Sequence, residues 1–166
     1  MVFLDTCVWI ELMAVSTPTE QSEIERAQRV TTMFSKFQSE GEEIVTCSEQ
    51  LMEIISAVQK VKQKEYNRNQ RKKTASGVGN IKEFRKTTEF INVQNLCKSI
   101  IRDVLVFSKI DENAEYDINT VLEQMSDIDL NDSIYYQLCL KKGIKLYTID
   151  NDFNNICSDS SIVNVI

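Results

Sequence analysis

The chain has 166 residues, 42% of them apolar and 8% aromatic, with five cysteines, no histidine and a net charge of -6. This length suits one domain with a sizeable core, over residues 1–166. The missing histidine excludes Ser-His-Asp and Cys-His nucleophiles, histidine-ligated zinc and histidine general bases, so hydrolysis must lean on carboxylates, lysines or metals.

Val2-Phe3-Leu4 reads as a short buried strand ending at Asp5, and Thr6 onward, with Val8, Trp9 and Leu12 on one side, as the helix after it. Pro18 stops that helix, and Thr19 is placed to cap a second one, whose apolar residues recur from Ile24 to Phe37 until Gly41. Ile44 to Cys47 forms a second strand, with Ser48 as the expected cap of a third helix carrying Leu51, Ile54, Ile55, Val58 and Val61 on its apolar face. Gly77 and Gly79 mark a flexible turn, and Phe84 to Val93 fits helix or strand equally. Leu96 to Ser108 is amphipathic helix, Ile118 to Met125 a shorter one, and Leu130 to Cys139 another that Gly143 closes. Ile144 to Ile149 and Ile162 to Ile166 are strands. Strands separated by helices throughout predict an α/β fold with a parallel sheet.

Cys7, Cys47, Cys97, Cys139 and Cys157 are scattered singly, which suits reduced, mostly buried structural thiols. No apolar run reaches the ~18 residues of a membrane span, and Asp5 and Glu11 interrupt the start; the expectation is a cytoplasmic protein with no membrane association. Charge is uneven. Residues 58 to 73 hold Lys60, Lys62, Lys64, Arg68, Arg71, Lys72 and Lys73 against the single acid Glu65, whereas residues 110 to 140 contain no Lys or Arg. The basic arm is a candidate contact for RNA, since affinity for phosphate backbones comes from Lys and Arg.

In open α/β sheets, sites form beyond the carboxyl ends of the strands. Asp5 and Asp150 both follow strand-like runs, Asp132 lies in the first turn of a helix, and Glu53 rides on the third helix off its main apolar stripe. Glu49 and Asp129 are rivals to Glu53 and Asp132. Four carboxylates brought together repel one another and have raised pKa values unless a cation neutralises them. Mg²⁺ or Mn²⁺ is the natural cation, because both prefer oxygen ligands and keep waters for substrate phosphates. Trp9 is expected in the core, and Tyr135 and Tyr136 half-buried near Asp132.

Three pieces of the sequence together resemble the PIN domain family: Phe3-Leu4-Asp5-Thr6, the helix start from Ser48 to Glu53, and Asn131-Asp132-Ser133 leading to Thr148-Ile149-Asp150-Asn151-Asp152-Phe153. The resemblance implies a three-layer α/β/α sandwich with a central, mainly parallel sheet. It implies a metal-dependent endoribonuclease in which Asp5, Glu53, Asp132 and Asp150 bind the metal and carry catalysis, Thr148 and Asp152 support the site, and the products bear a 5'-phosphate and a 3'-hydroxyl. It also implies a toxin neutralised by a partner antitoxin, and admits a homodimer; the alternative is a non-catalytic module that binds RNA or protein. Cys7 stands where the family commonly has Asn or Ser, which predicts the loss of one polar contact.

Overall fold

The computed structural model describes residues 1–112, 115–155 and 161–166, with side chains omitted at residues 154 and 155. Cys157 lies outside the described residues. The elements follow in the order β1 (Val2–Leu4), α1 (Thr6–Leu12), α2 (Gln21–Glu40), β2 (Ile44–Thr46), α3 (Ser48–Lys72), α4 (Ile81–Phe84), α5 (Glu89–Phe107), β3 (Ser108–Ile110), α6 (Ile118–Gln124), α7 (Leu130–Lys142), β4 (Lys145–Thr148), a 3₁₀ turn (Asp152–Asn155) and β5 (Val163–Val165).

The five strands form one sheet in the order β3-β2-β1-β4-β5, parallel throughout. Side chains alternate across it as a period of two requires. Val2, Leu4 and Ile44 enter a core with Trp9, Val30, Ile54, Val58, Ile100 and Val104, so α1, α2, α3 and α5 cover this face. Phe3, Val45 and Leu146 enter a second core with Val121, Tyr135, Leu138 and Cys139, so α6 and α7 cover the other. The result is the three-layer α/β/α sandwich expected from the sequence. Trp9 is fully buried, as expected.

Four local details differ from the sequence reading. Glu20, not Thr19, caps α2: the Glu20 and Glu23 side chains form a reciprocal capping box, and Thr19 instead donates to Glu23. Cys47 takes the cap position of α3, and Ser48 is already helical. Strand β3 was unexpected, because Ser108, placed in the preceding helix by its spacing, begins an edge strand directly after α5. The turn at Gly77 is clamped rather than free: Asn67 on α3 donates to the Val78 carbonyl at 2.9 Å and accepts from its N–H at 2.8 Å. A Cβ on Gly77 would come within 2.5 Å of the Asn67 carboxamide oxygen, so the close approach needs glycine.

This turn and α4 buttress the far half of α3. Tyr66 packs on Phe84 with ring centroids 5.4 Å apart, and Arg85 donates twice to Gln59. The ambiguous segment resolves as α4 and the start of α5. Among the described residues, no helix is long and apolar enough to cross a membrane.

Candidate active site

After β1 the chain moves outward to β2 and β3, then returns to β4 on the opposite flank, so β1 and β4 border the point where the strand order reverses. In open α/β sheets, sites form at this point, beyond the strands' carboxyl ends. Leu4 pairs with Tyr147, which sets Asp5, one residue beyond β1, beside the end of β4. Thr148 completes this pairing: its hydroxyl donates to Asp5 Oδ2 at 2.6 Å and accepts from the Asp150 N–H at 2.9 Å. Asp5 also accepts from the Thr6 N–H at 2.5 Å and from the Cys7 thiol at 3.0 Å. Cys7, where the family commonly has Asn or Ser, thus offers Asp5 a sulfur donor.

Glu53 reaches the same end of the sheet from α3. Its Oε2 accepts from the Thr6 hydroxyl at 2.7 Å and the Tyr135 hydroxyl at 2.6 Å. Gln50, one turn earlier and fully buried, accepts from Thr46 at 2.8 Å and donates to the Leu4 carbonyl at 2.7 Å, tying the start of α3 to the ends of β1 and β2. Asp132 stands half-buried in the first turn of α7. Asp150 is exposed and accepts from the Asp152 N–H at 2.9 Å, so Asp152 contributes its backbone, while its side chain is exposed.

Electrostatics couple these groups. Asp132 is pushed up to about 8, first by burial and then by the charges of Asp5, Glu53, Asp129 and Asp150. Asp5 is also raised, chiefly by burial, with Glu53 adding to the rise; the Cys7, Thr148 and Thr6 donors oppose it. Burial and the neighbouring carboxylates lift the Cys7 and Tyr135 protons above their ordinary range, so both groups stay hydrogen-bond donors. Among the described residues no Lys or Arg forms an ion pair with Asp5, Glu53, Asp132 or Asp150. The donor set is oxygen only and its charge is unopposed, which fits a hard divalent cation. The side chains are not drawn into a cage, however: among the described residues no three acidic or thiol groups stand in an arrangement that would hold an ion.

An open groove of about 760 Å³ reaches Glu53, with Glu49, Glu53 and Lys60 of α3 on one wall and Asp129 and Asn131 at the start of α7 on the other. Glu49 and Asp129, the two rivals, thus line the approach. Of the basic residues, Lys60, Lys64, Arg68, Arg71 and Lys72 are exposed along α3 and Lys73 just past its end, whereas Lys62 is half-buried and paired with Glu65 at 2.9 Å. Tyr135 and Tyr136 are fully buried rather than half-buried.

Sequence reasoning missed Thr6 and Tyr135 as partners of Glu53, and Gln50 as the residue that ties the start of α3 to the strand ends. Their positions carried the signal: Thr6 adjoins Asp5, Gln50 lies three residues before Glu53, and Tyr135 three after Asp132, which is same-face spacing on a helix. The four described cysteines are free thiols, three of them buried and Cys7 half-buried. The model of the PIN domain family matches residues 2–158. No curated protein matches the chain.

Proposed function

The chain belongs to the PIN domain family, whose members are generally nucleases that use divalent metal ions, and on that premise we propose that it is a metal-dependent endoribonuclease. Asp5, Glu53, Asp132 and Asp150 would hold Mg²⁺ or Mn²⁺. The observation that carries this reading is the acidic cluster itself: Asp5 and Glu53 are held at one end of the sheet by Thr148, Cys7, Thr6 and Tyr135, Asp132 is raised by burial and by their charges, and among the described residues no Lys or Arg is paired to the set. Such a cluster is costly for an apoprotein and is relieved by a cation. When bound, the ion supplies Lewis-acid stabilisation of phosphate charge and a water of lowered pKa.

The chain's own residues then have separate tasks. Thr148 and Cys7 aim Asp5, and Thr6 and Tyr135 aim Glu53, so neither carboxylate has to be ordered as substrate arrives. Asp132 gives up its proton on forming the loaded site. The cationic residues of α3 supply the attraction for a polyanion that an acidic centre lacks.

The test is cleavage of RNA by purified protein with Mg²⁺ or Mn²⁺. Asp5→Asn, Asp132→Asn and Asp150→Asn should each lower the rate by more than ~100-fold, beyond what loss of an outer-shell partner costs. Failure to cut with either ion would leave a binding module.

A further inference from the structure

We infer that α3 is a track for a single RNA strand, running from Glu53 along one exposed face to Arg71; the assignment of RNA rests on the nuclease reading. Lys60, Lys64, Arg68 and Arg71 are exposed and recur at intervals of four, four and three, which lines them up along one flank of the helix. The groove at the carboxylates ends at Lys60. A second open groove, of about 560 Å³, takes over from Lys64 and is lined by Asn67, Arg68, Arg71 and Lys72.

The face is therefore ordered: acids at the site, then Ser56 and Lys60, then four cations. A rise of ~1.5 Å per residue puts Arg71 about 27 Å from Glu53 along the axis. At ~3.4 Å per stacked nucleotide that span matches about eight nucleotides, and fewer in an extended strand.

Stabilisation of the helix dipole explains cations in a last turn, which accounts for Arg71 and Lys72. It does not account for Lys60, Lys64 and Arg68, which lie farther in. Nor is this half of α3 held out by chance, since Tyr66–Phe84 and the Asn67 clamp fix it to α4 and the glycine turn. Lys62 is excluded from the track by its burial and its pairing with Glu65. A single strand is favoured over a duplex because Asp5 is only 3% exposed and Asp132 is half-buried, so the reacting phosphate must enter a recess between α3 and α7.

The experiment is fluorescence anisotropy with labelled oligouridylates of about 3 and about 12 nucleotides, in EDTA so that nothing is cut. The longer strand should bind at least about tenfold more tightly. Lys64→Glu with Arg68→Glu should collapse that advantage and reduce the salt slope by about 1.4, the share of two phosphate contacts. Lys98→Glu with Arg102→Glu, the same charge change on exposed positions of α5, should preserve both. Equal losses in the two double variants, a length advantage absent from the parent or surviving in the track variant, or tighter binding of a duplex of equal length would each overturn the track. Loss of the nuclease reading shows separately, as intact binding with no cleavage in Mg²⁺ or Mn²⁺.

Discussion

Tyr135 on α7 donates its hydroxyl to Glu53 on α3, at 2.6 Å and across 82 residues of sequence, so the two helices that wall the groove meet through a candidate ligand. The phenol is fully buried and stays protonated, because burial and the Glu53 charge both oppose its ionisation. Tyr135→Phe keeps the packing of the ring against Phe3 and removes only the donor. A hydrogen bond to a charged group contributes roughly 1.5–3 kcal/mol. Mn²⁺ affinity by titration calorimetry should therefore fall about 10- to 100-fold in Tyr135→Phe, with the circular dichroism spectrum unchanged. Unchanged affinity would remove Tyr135 from the support of Glu53.

Thr148 links two candidate ligands by donating to Asp5 and accepting from the Asp150 N–H. Thr148→Val retains the shape and loses both bonds, whereas Thr148→Ser retains them. RNA cleavage should fall about 10- to 100-fold in Thr148→Val and recover most of its rate in Thr148→Ser. Cys7 donates to the same Asp5 oxygen through a weaker S–H group. Cys7→Ser should therefore equal or exceed the parent, and Cys7→Ala should lose a fewfold. Equal rates in the two Thr148 variants would show that the hydroxyl is not what matters.

The raised Asp132 fixes a sign for stability. With its native value at about 8 and its ordinary value at 3.8, the native chain holds a proton that the unfolded chain releases between those limits. The unfolded state then binds fewer protons, so stability falls as pH rises across that window. Burial raises Asp5 in the same direction. In EDTA, the melting temperature should decline from pH 5 to pH 8, and Asp132→Asn should flatten the decline. Saturating Mn²⁺ should reverse it, since a bound ion favours the ionised form and expels the proton. Calorimetry in buffers of different ionisation enthalpy at pH 7 would read that release directly. A melting temperature that climbs through this range in EDTA would contradict the assignment.

The layers were legible because Val2-Phe3-Leu4 and Ile44-Val45 are continuous apolar runs, as buried strands are, and the apolar residues around Ile54 and Val58 repeat at helical spacing. The acidic positions were legible as residues because each of Asp5, Asp132 and Asp150 sits at a junction of elements. What holds them was not, because hydrogen bonds such as Tyr135 to Glu53 join distant stretches and leave no periodic trace. Strand β3 was hidden for a local reason. Ser108-Lys109-Ile110 is three residues long, lies at the edge of the sheet and has two exposed positions, so it shows no apolar run. The turn at Gly77 looked free because its clamp, Asn67, lies ten residues earlier on a helix face that reads as solvated.

Gln50 is the buried polar joint on which the placement of Glu53 depends. It accepts from Thr46 at the end of β2 and donates to the Leu4 carbonyl at the end of β1, three residues before Glu53 on the same helix. Gln50→Met fills a similar volume but leaves the Thr46 hydroxyl and the Leu4 carbonyl without this partner in a site with no exposure. Such losses cost about 1–3 kcal/mol each when the group stays buried. With two such groups, urea unfolding should register a loss of about 2–6 kcal/mol, with an unchanged m-value. Met52→Ala, on the same helix but 67% exposed, should stay within about 0.5 kcal/mol of the parent. Cleavage by Gln50→Met, measured well below its melting temperature, should also fall, because the start of α3 is no longer pinned to the strand that carries Asp5. A variant that loses stability and keeps full activity would show that Gln50 secures the fold without setting the distance between Asp5 and Glu53.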